Sequence, residues 1–213
     1  MQNFWQMQFP NLGFVGCELS DEDLRPIKDE VEEILNDFKS ASPINYALAG
    51  HIEKEYKLSK SHSHLEILAL KMAYAWKKSH FSNSKKIERR ARDENVNNLY
   101  LKGSWVNFQK KYEYNPLHRH DGEFVFVAWL DIPYEIENEC KVFPNVRDKS
   151  DSNGCFTFRY TDVLGRIVPW SIPTDKKYIG KMILFPSELM HEVHPFYTSD
   201  DFRISISGNL HLR

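Results

Sequence analysis

Long apolar runs are missing from this 213-residue chain: the longest, Phe124 to Leu130, spans seven residues, whereas a membrane-spanning helix needs about 20. Cysteine is scarce. The three that occur, Cys17, Cys140 and Cys155, are odd in number and lack C-x-x-C spacing, which excludes a disulfide framework and a thiolate metal site. Neither charge sign dominates, with 28 Lys+Arg against 30 Asp+Glu and a formal net charge of -2. A global field able to hold nucleic acid or an anionic membrane is therefore excluded, and any partner must be recognised at a site. No positive charge precedes Arg25, and no apolar segment near the start ends at a small-residue cleavage site. The expected location is cytoplasmic. Internal repeats, low-complexity tracts and Gly/Ser-rich linkers are also lacking, so a single domain over residues 1–213 is expected.

Aromatic residues, in contrast, are plentiful: 14 Phe, 10 Tyr and 5 Trp make up 14% of the chain, and so many rings need a packed interior. Two patterns share the sequence, changing near residue 100. Ser20-Asp21-Glu22-Asp23 places a cap and acidic residues before Leu24, Ile27, Val31, Ile34, Leu35 and Phe38 at helical spacing; the spacing predicts a helix ending near Ser40. A second helical pattern runs from about Ser63 to Trp76, followed by the polar, basic stretch Lys85 to Arg92, read as a solvated face or loop. From Tyr100 onward, short β-rich segments are expected at Leu101–Lys111, Phe124–Leu130, Cys155–Tyr160, Lys181–Phe185 and Arg203–Leu212, with breaks that include Asp121-Gly122 and Asn153-Gly154. Many short strands with regular breaks imply a mainly β fold, a sandwich or jelly roll, with the helices of residues 1–99 bracing a sheet of residues 100–213.

Nine histidines occur, five of them in the β-rich half. Residues two apart on a strand share a face, so His118 and His120 can present two imidazoles to one metal ion. A later histidine, His191 or His194, follows the strand that ends at Phe185-Pro186-Ser187. Two imidazoles and one distal His would make a three-ligand facial site with open positions, as non-haem Fe(II) oxygenases need. The usual set is two His and one carboxylate; Asp121 offers a carboxylate nearby. Arg203, 12 residues after His191, can grip a carboxylate bidentately, and Ser205 on the same strand face adds a hydroxyl. Against these stand blander readings. An H-x-H pair occurs readily by chance, as His62-Ser63-His64 shows; that pair, at a helix start, reads as surface. Asn107 and Trp129 read as pocket lining or core.

Trp105-Val106-Asn107, Tyr114-Asn115-Pro116-Leu117-His118-Arg119-His120, Gly180-Lys181-Met182-Ile183-Leu184-Phe185-Pro186-Ser187, His191 and Arg203-Ile204-Ser205-Ile206-Ser207 together resemble the 2-oxoglutarate and Fe(II)-dependent oxygenase superfamily. The resemblance extends to a small prolyl-hydroxylase-like subfamily of marine bacteria and tailed phages, and covers about residues 100 to 210. It implies a double-stranded β-helix, a cupin-like jelly roll, with Fe(II) held by His118, His120 and His191, and with Arg203 and Ser205 on the far carboxylate of 2-oxoglutarate. O2 would be the third component, and the activity a hydroxylation coupled to decarboxylation of 2-oxoglutarate to succinate. The expected partner is a small-molecule or peptidyl substrate, not nucleic acid or membrane; a homodimer is the default expectation for such folds. If the gene is carried by a phage, the location is the host cytoplasm. After His120 the sequence departs from the subfamily, reading Asp121-Gly122-Glu123, so substrate-side contacts do not carry over. Specificity would lie in the loops Tyr134–Arg147 and Val163–Tyr178. Other function classes are a three-His, cupin-like dioxygenase that uses no 2-oxoglutarate, and a metal-free jelly-roll binding or structural module.

Overall fold

The computed structural model describes residues 13–81, 98–144 and 152–213; the basic stretch Lys85 to Arg92 and the end of the Tyr134–Arg147 loop lie outside them. Among the described residues, ten strands form two antiparallel sheets. The larger sheet contains β1 (Val15–Glu18), β2 (Glu55–Lys57), β3 (Leu99–Gln109), β5 (Phe124–Asp131), β8 (Lys181–Pro186) and β10 (Arg203–Leu212), in the order β1-β8-β5-β10-β3-β2. The smaller contains β4 (Asn115–His118), β6 (Phe156–Thr161), β7 (Ile167–Ile172) and β9 (His191–Val193), in the order β4-β9-β6-β7. The two face each other as a jelly roll, the double-stranded β-helix expected from the sequence.

Side-chain alternation explains the layering. On β5, Phe124, Phe126, Ala128 and Leu130 point to one core and Val125, Val127 and Trp129 to another. Both faces are covered, which is why this strand reads as an unbroken apolar run. The first core lies against α1 (Asp21–Asn36) and α2 (His62–Phe81), which contribute Leu24, Ile27, Val31, Ile34, Leu65, Ala69, Met72 and Trp76. The second lies between the sheets and includes Tyr134, Phe156, Phe158, Phe185 and Phe196.

The cap expected at the start of α1 is present as a reciprocal capping box: the Ser20 hydroxyl accepts from the Asp23 amide, and the Asp23 carboxylate accepts from the Ser20 amide. The helix stops at Asn36, not near Ser40 as the spacing suggested. Its last apolar residue, Phe38, lies beyond the helix and packs on Tyr56 and Phe108. Residues 1–99 are also less purely helical than expected, since β1 and β2 complete the two edges of the larger sheet. The region Val163–Tyr178, expected as a loop, contains β7, an edge strand paired with β6 over six residues. Pro169 and the outward Ile167 and Trp170 mask it, because an edge strand tolerates proline and lacks a buried face. His62 and His64 are half-buried, not surface: His62 Nδ1 lies 3.2 Å from Ser104 Oγ and His64 Nε2 lies 3.0 Å from Asp23 O. Among the described residues, no helix is long and apolar enough to cross a membrane.

Candidate functional site

On β10, Ile204, Ile206 and Leu210 face the helices, while Arg203, Ser205, Ser207 and Asn209 face the other sheet. On β3, Val106 and Phe108 face the helices, and Trp105, Asn107 and Gln109 the other sheet. A polar face on an antiparallel sheet ordinarily meets water; here the second sheet covers it, and a cavity of about 290 Å³ remains. Strand register arranges its floor. Glu55 lies opposite Asn107, Asn107 opposite Ser205, and Ser205 opposite Trp129, giving one row across four strands.

The histidines meet at one end of this cavity. In the β4–β9 pair, His118 is directly opposite His191, which brings their ring centroids to 4.3 Å. His120 lies past the end of β4, not on the strand as its spacing suggested. The loop after it turns at Gly122, whose φ of 91° is open to glycine and closed to most side chains. Ser187 pins that loop: its amide donates to Glu123 O at 3.1 Å, its hydroxyl donates to Gly122 O, and its carbonyl accepts from the His120 amide at 3.0 Å. The Phe-Pro-Ser motif thus fixes the second imidazole through the backbone. His120 Nε2 and His191 Nε2 are 3.3 Å apart, and one ring nitrogen from each of the three histidines lies within 4.8 Å of the other two.

Protonation state follows from the surroundings. His118 Nδ1 faces Pro116 O at 2.6 Å, and His191 Nδ1 faces Leu189 O at 2.9 Å. A carbonyl requires Nδ1–H as donor, so each Nε2 keeps its lone pair for the centre of the group. Phe156 and Phe185 wall His191, with ring centroids at 5.3 and 4.9 Å. Burial, reinforced by His118 and His120, holds His191 well below the ordinary histidine value. Burial and the adjacent His118 lower His120 to about 4, and burial lowers His118. Three neutral imidazoles with converging ring nitrogens suit a divalent transition metal.

Arg203, 2% exposed, lies farther along the same floor. Its Nε and one Nη2 proton go to Gln109 Oε1 at 3.1 and 2.6 Å. Its remaining protons reach His194 O at 2.9 Å, Tyr134 Oη at 2.6 Å and Gly154 O at 3.0 Å. All four acceptors are neutral, so a buried guanidinium borders the cavity without a counter-ion among them. Such a charge is costly unless an anion completes it. Ser205 Oγ, two residues on, accepts from Asn107 Nδ2 at 3.3 Å.

The other sequence candidates fall elsewhere. His194 contributes its carbonyl to Arg203, and its ring nitrogen is 3.5 Å from Glu192 Oε1, outside the imidazole group. Asp121 is at the rim, with its side chain 68% exposed and paired with Lys102 at 3.0 Å. Trp129 and Asn107 line the cavity. Sequence reasoning did not single out Gln109, Tyr134 and Gly154. Gln109 had a signal, as a polar residue in phase with Asn107 and alternating with the apolar Val106 and Phe108. Gly154 had been only a turn residue; its φ of 72° aims its carbonyl at Tyr134, Thr174 and Arg203.

A family model for 2OG-Fe(II) oxygenases matches residues 103–209, the span that carries all of these side chains except Glu55. The chain belongs to this family. The oxygenase accordingly uses Fe(II), 2-oxoglutarate and O2. Comparison with curated proteins gave no match. Among solved structures, a Pseudomonas putida prolyl-4-hydroxylase superposes with a TM-score of 0.54 at 14% identity, covering 95% of this oxygenase and 94% of that chain. The α-ketoglutarate-dependent epimerase SnoN from nogalamycin biosynthesis gives 0.53 at 14% identity, covering 93% and 77%. The carbocyclase SnoK of the same biosynthesis gives 0.51 at 13%, covering 92% and 78%. At such identities the likeness is one of fold, shared by proteins of different chemistry.

Proposed function

We propose that the oxygenase hydroxylates a C–H bond of a small-molecule or peptidyl substrate, with His118, His120 and His191 as the metal ligands and Arg203 with Ser205 as the seat of the far carboxylate of 2-oxoglutarate. The observation that carries this reading is the pairing, in one cavity, of three converging neutral imidazoles with a buried guanidinium that has no anionic partner among the described residues. When bound, Fe(II) supplies O2 activation coupled to decarboxylation of 2-oxoglutarate to succinate.

The chain's own residues do the rest. The two backbone carbonyls at Pro116 and Leu189 keep His118 and His191 in the tautomer that offers Nε2. Gln109, Tyr134, Gly154 and the His194 carbonyl hold all five guanidinium N–H groups and fix its plane, so the co-substrate carboxylate meets a pre-oriented positive charge and pairs with it by displacing neutral acceptors. The Phe156, Phe158 and Phe185 rings exclude water from the rear of the imidazole group, which protects a reactive centre from wasteful side reactions.

The test is succinate formation from 2-oxoglutarate in air with Fe(II) added. Wild-type protein is expected to form succinate even without its substrate, slowly. His191→Ala should abolish it, and Arg203→Lys should raise the half-saturating 2-oxoglutarate concentration, because an ammonium cannot reproduce the bidentate fork. Oxygen uptake that ignores 2-oxoglutarate would overturn the co-substrate assignment.

A further inference from the structure

Resting on the oxygenase reading, we infer that the substrate carries a cationic N–H donor, a guanidinium or ammonium group, which docks on Glu55 with the side-chain oxygens of Asn107 and Asn115. Glu55 is 1% exposed overall and forms part of the cavity wall. Its carboxylate receives one hydrogen bond, from Asn45 Nδ2 at 3.3 Å, and no cation pairs with it among the described residues. Asn107 Oδ1 and Asn115 Oδ1 are both buried without a hydrogen-bond partner, and both residues line the same cavity. Three acceptor groups of residues on one cavity wall therefore find almost no donors among the described residues. Buried polar oxygens are ordinarily satisfied, and a buried carboxylate without a cation is costly. A ligand with several N–H donors and a positive charge answers both deficits.

The location fits a substrate and not the co-substrate. Glu55 and Ser205 occupy the same row two strands apart, roughly 10 Å at the usual strand spacing. The carboxylate seat at Arg203 and Ser205 thus lies toward β5, and the acceptor group lies toward the β2 edge. Among the described residues the charged group acting on Glu55 is Glu113, whose repulsion adds to the effect of burial; Arg203 lies farther along the same cavity. The first deepens the preference for a cation; the second repels a cation from the co-substrate seat and so keeps the two ligands apart. Gly50 brings the chain close above the acceptors: a Cβ there would stand 2.2 Å from Asn115 Oδ1 and 3.4 Å from Glu55 Oε1. Bracing of Asn45 alone would explain Glu55 but would leave both asparagine oxygens unaccounted for.

The experiment compares n-butylguanidinium with its neutral isostere n-butylurea by ligand-observed NMR on the anaerobic protein loaded with Fe(II) and 2-oxoglutarate. Wild-type protein should bind the guanidinium at least about tenfold more tightly, and Glu55→Gln should erase that preference. Equal binding of the two probes, tighter binding of the urea, no binding of the guanidinium, or an undiminished preference in Glu55→Gln would each overturn the inference. The wild-type comparison needs no variant to fold. The visible band of bound 2-oxoglutarate, read on the same sample, separates the two claims. A band without charge preference refutes the cation seat alone, and an absent band refutes the oxygenase reading beneath it.

Discussion

Two buried glutamates, one in the helical brace and one in the cavity, show how this molecule divides structure from function. Glu30 on α1 accepts from the amides of Ser59, Lys60 and Ser61 and from the Ser61 hydroxyl, at 2.6–2.9 Å. It ties α1 to the start of α2, meeting amides that would otherwise be orphaned there. Burial alone would raise its pKa, but the Ser61 hydroxyl and the three amides outweigh burial and hold it below the ordinary value. Glu55, equally hidden, has one weak donor and a like charge nearby, and burial followed by Glu113 pushes it up to about 7. Glu139 repeats the pattern of Glu30, receiving the amides of Tyr197 and Thr198 and the Thr198 hydroxyl. Buried charge that the chain itself completes belongs to the fold. Glu55, with one weak donor, and Arg203, whose acceptors are all neutral, instead line a cavity where a ligand of opposite charge can meet them.

Substitutions at these positions sharpen the contrast. The largest effect is expected at the imidazoles: His118→Ala should remove saturable Fe(II) binding, measured by anaerobic titration, while circular dichroism reports an intact fold. Next comes Glu30→Gln, expected to cost about 1–3 kcal/mol in chemical denaturation, because a charge-assisted set of hydrogen bonds loses its acceptor strength. It should leave 2-oxoglutarate binding unchanged.

Glu55→Gln should behave in the opposite sense. A raised folded-state pKa means that the folded protein holds a proton the unfolded chain has released, so wild-type stability falls as pH rises from the ordinary 4.5 toward 7. Replacing the carboxyl removes that loss. The variant should therefore match or exceed wild type at pH 8, with the gap closing at pH 5. For Glu30 the sign reverses: its contribution is full above 4.5 and is lost as pH falls through the depressed folded value. The smallest effect is expected for Asp121→Asn, which breaks an exposed ion pair worth less than about 1 kcal/mol and should leave Fe(II) affinity unaltered. A large loss there would make Asp121 a ligand and dissolve the distinction between rim and centre.

The sequence revealed more of this fold's long elements than of its cavity wall. β5 and β10 were readable because each runs eight or more residues with a clear face pattern. β4 and β9, four and three residues long, were not, although their pairing is what brings His118 opposite His191. His118, His120, Arg203 and Ser205 were accessible through motif spacing, and His191 through its Phe-Pro-Ser neighbour. That His191 and not His194 lies in the imidazole group follows from the register of β9. Gln109, Tyr134 and Gly154 act on Arg203 from 94, 69 and 49 residues away, a separation that no local pattern encodes. Glu55 was invisible for another reason: a glutamate on a three-residue strand reads as solvent-facing until the sheet beside it is known.

The most direct test of the account is an anaerobic titration of metal-stripped protein with Fe(II) and then 2-oxoglutarate, following the weak visible charge-transfer band of the chelated keto acid. The account predicts a saturable band that vanishes in His191→Ala and shifts to higher 2-oxoglutarate concentration in Arg203→Lys. Fe(II) binding without any band, or a band of equal strength in His191→Ala, would contradict it.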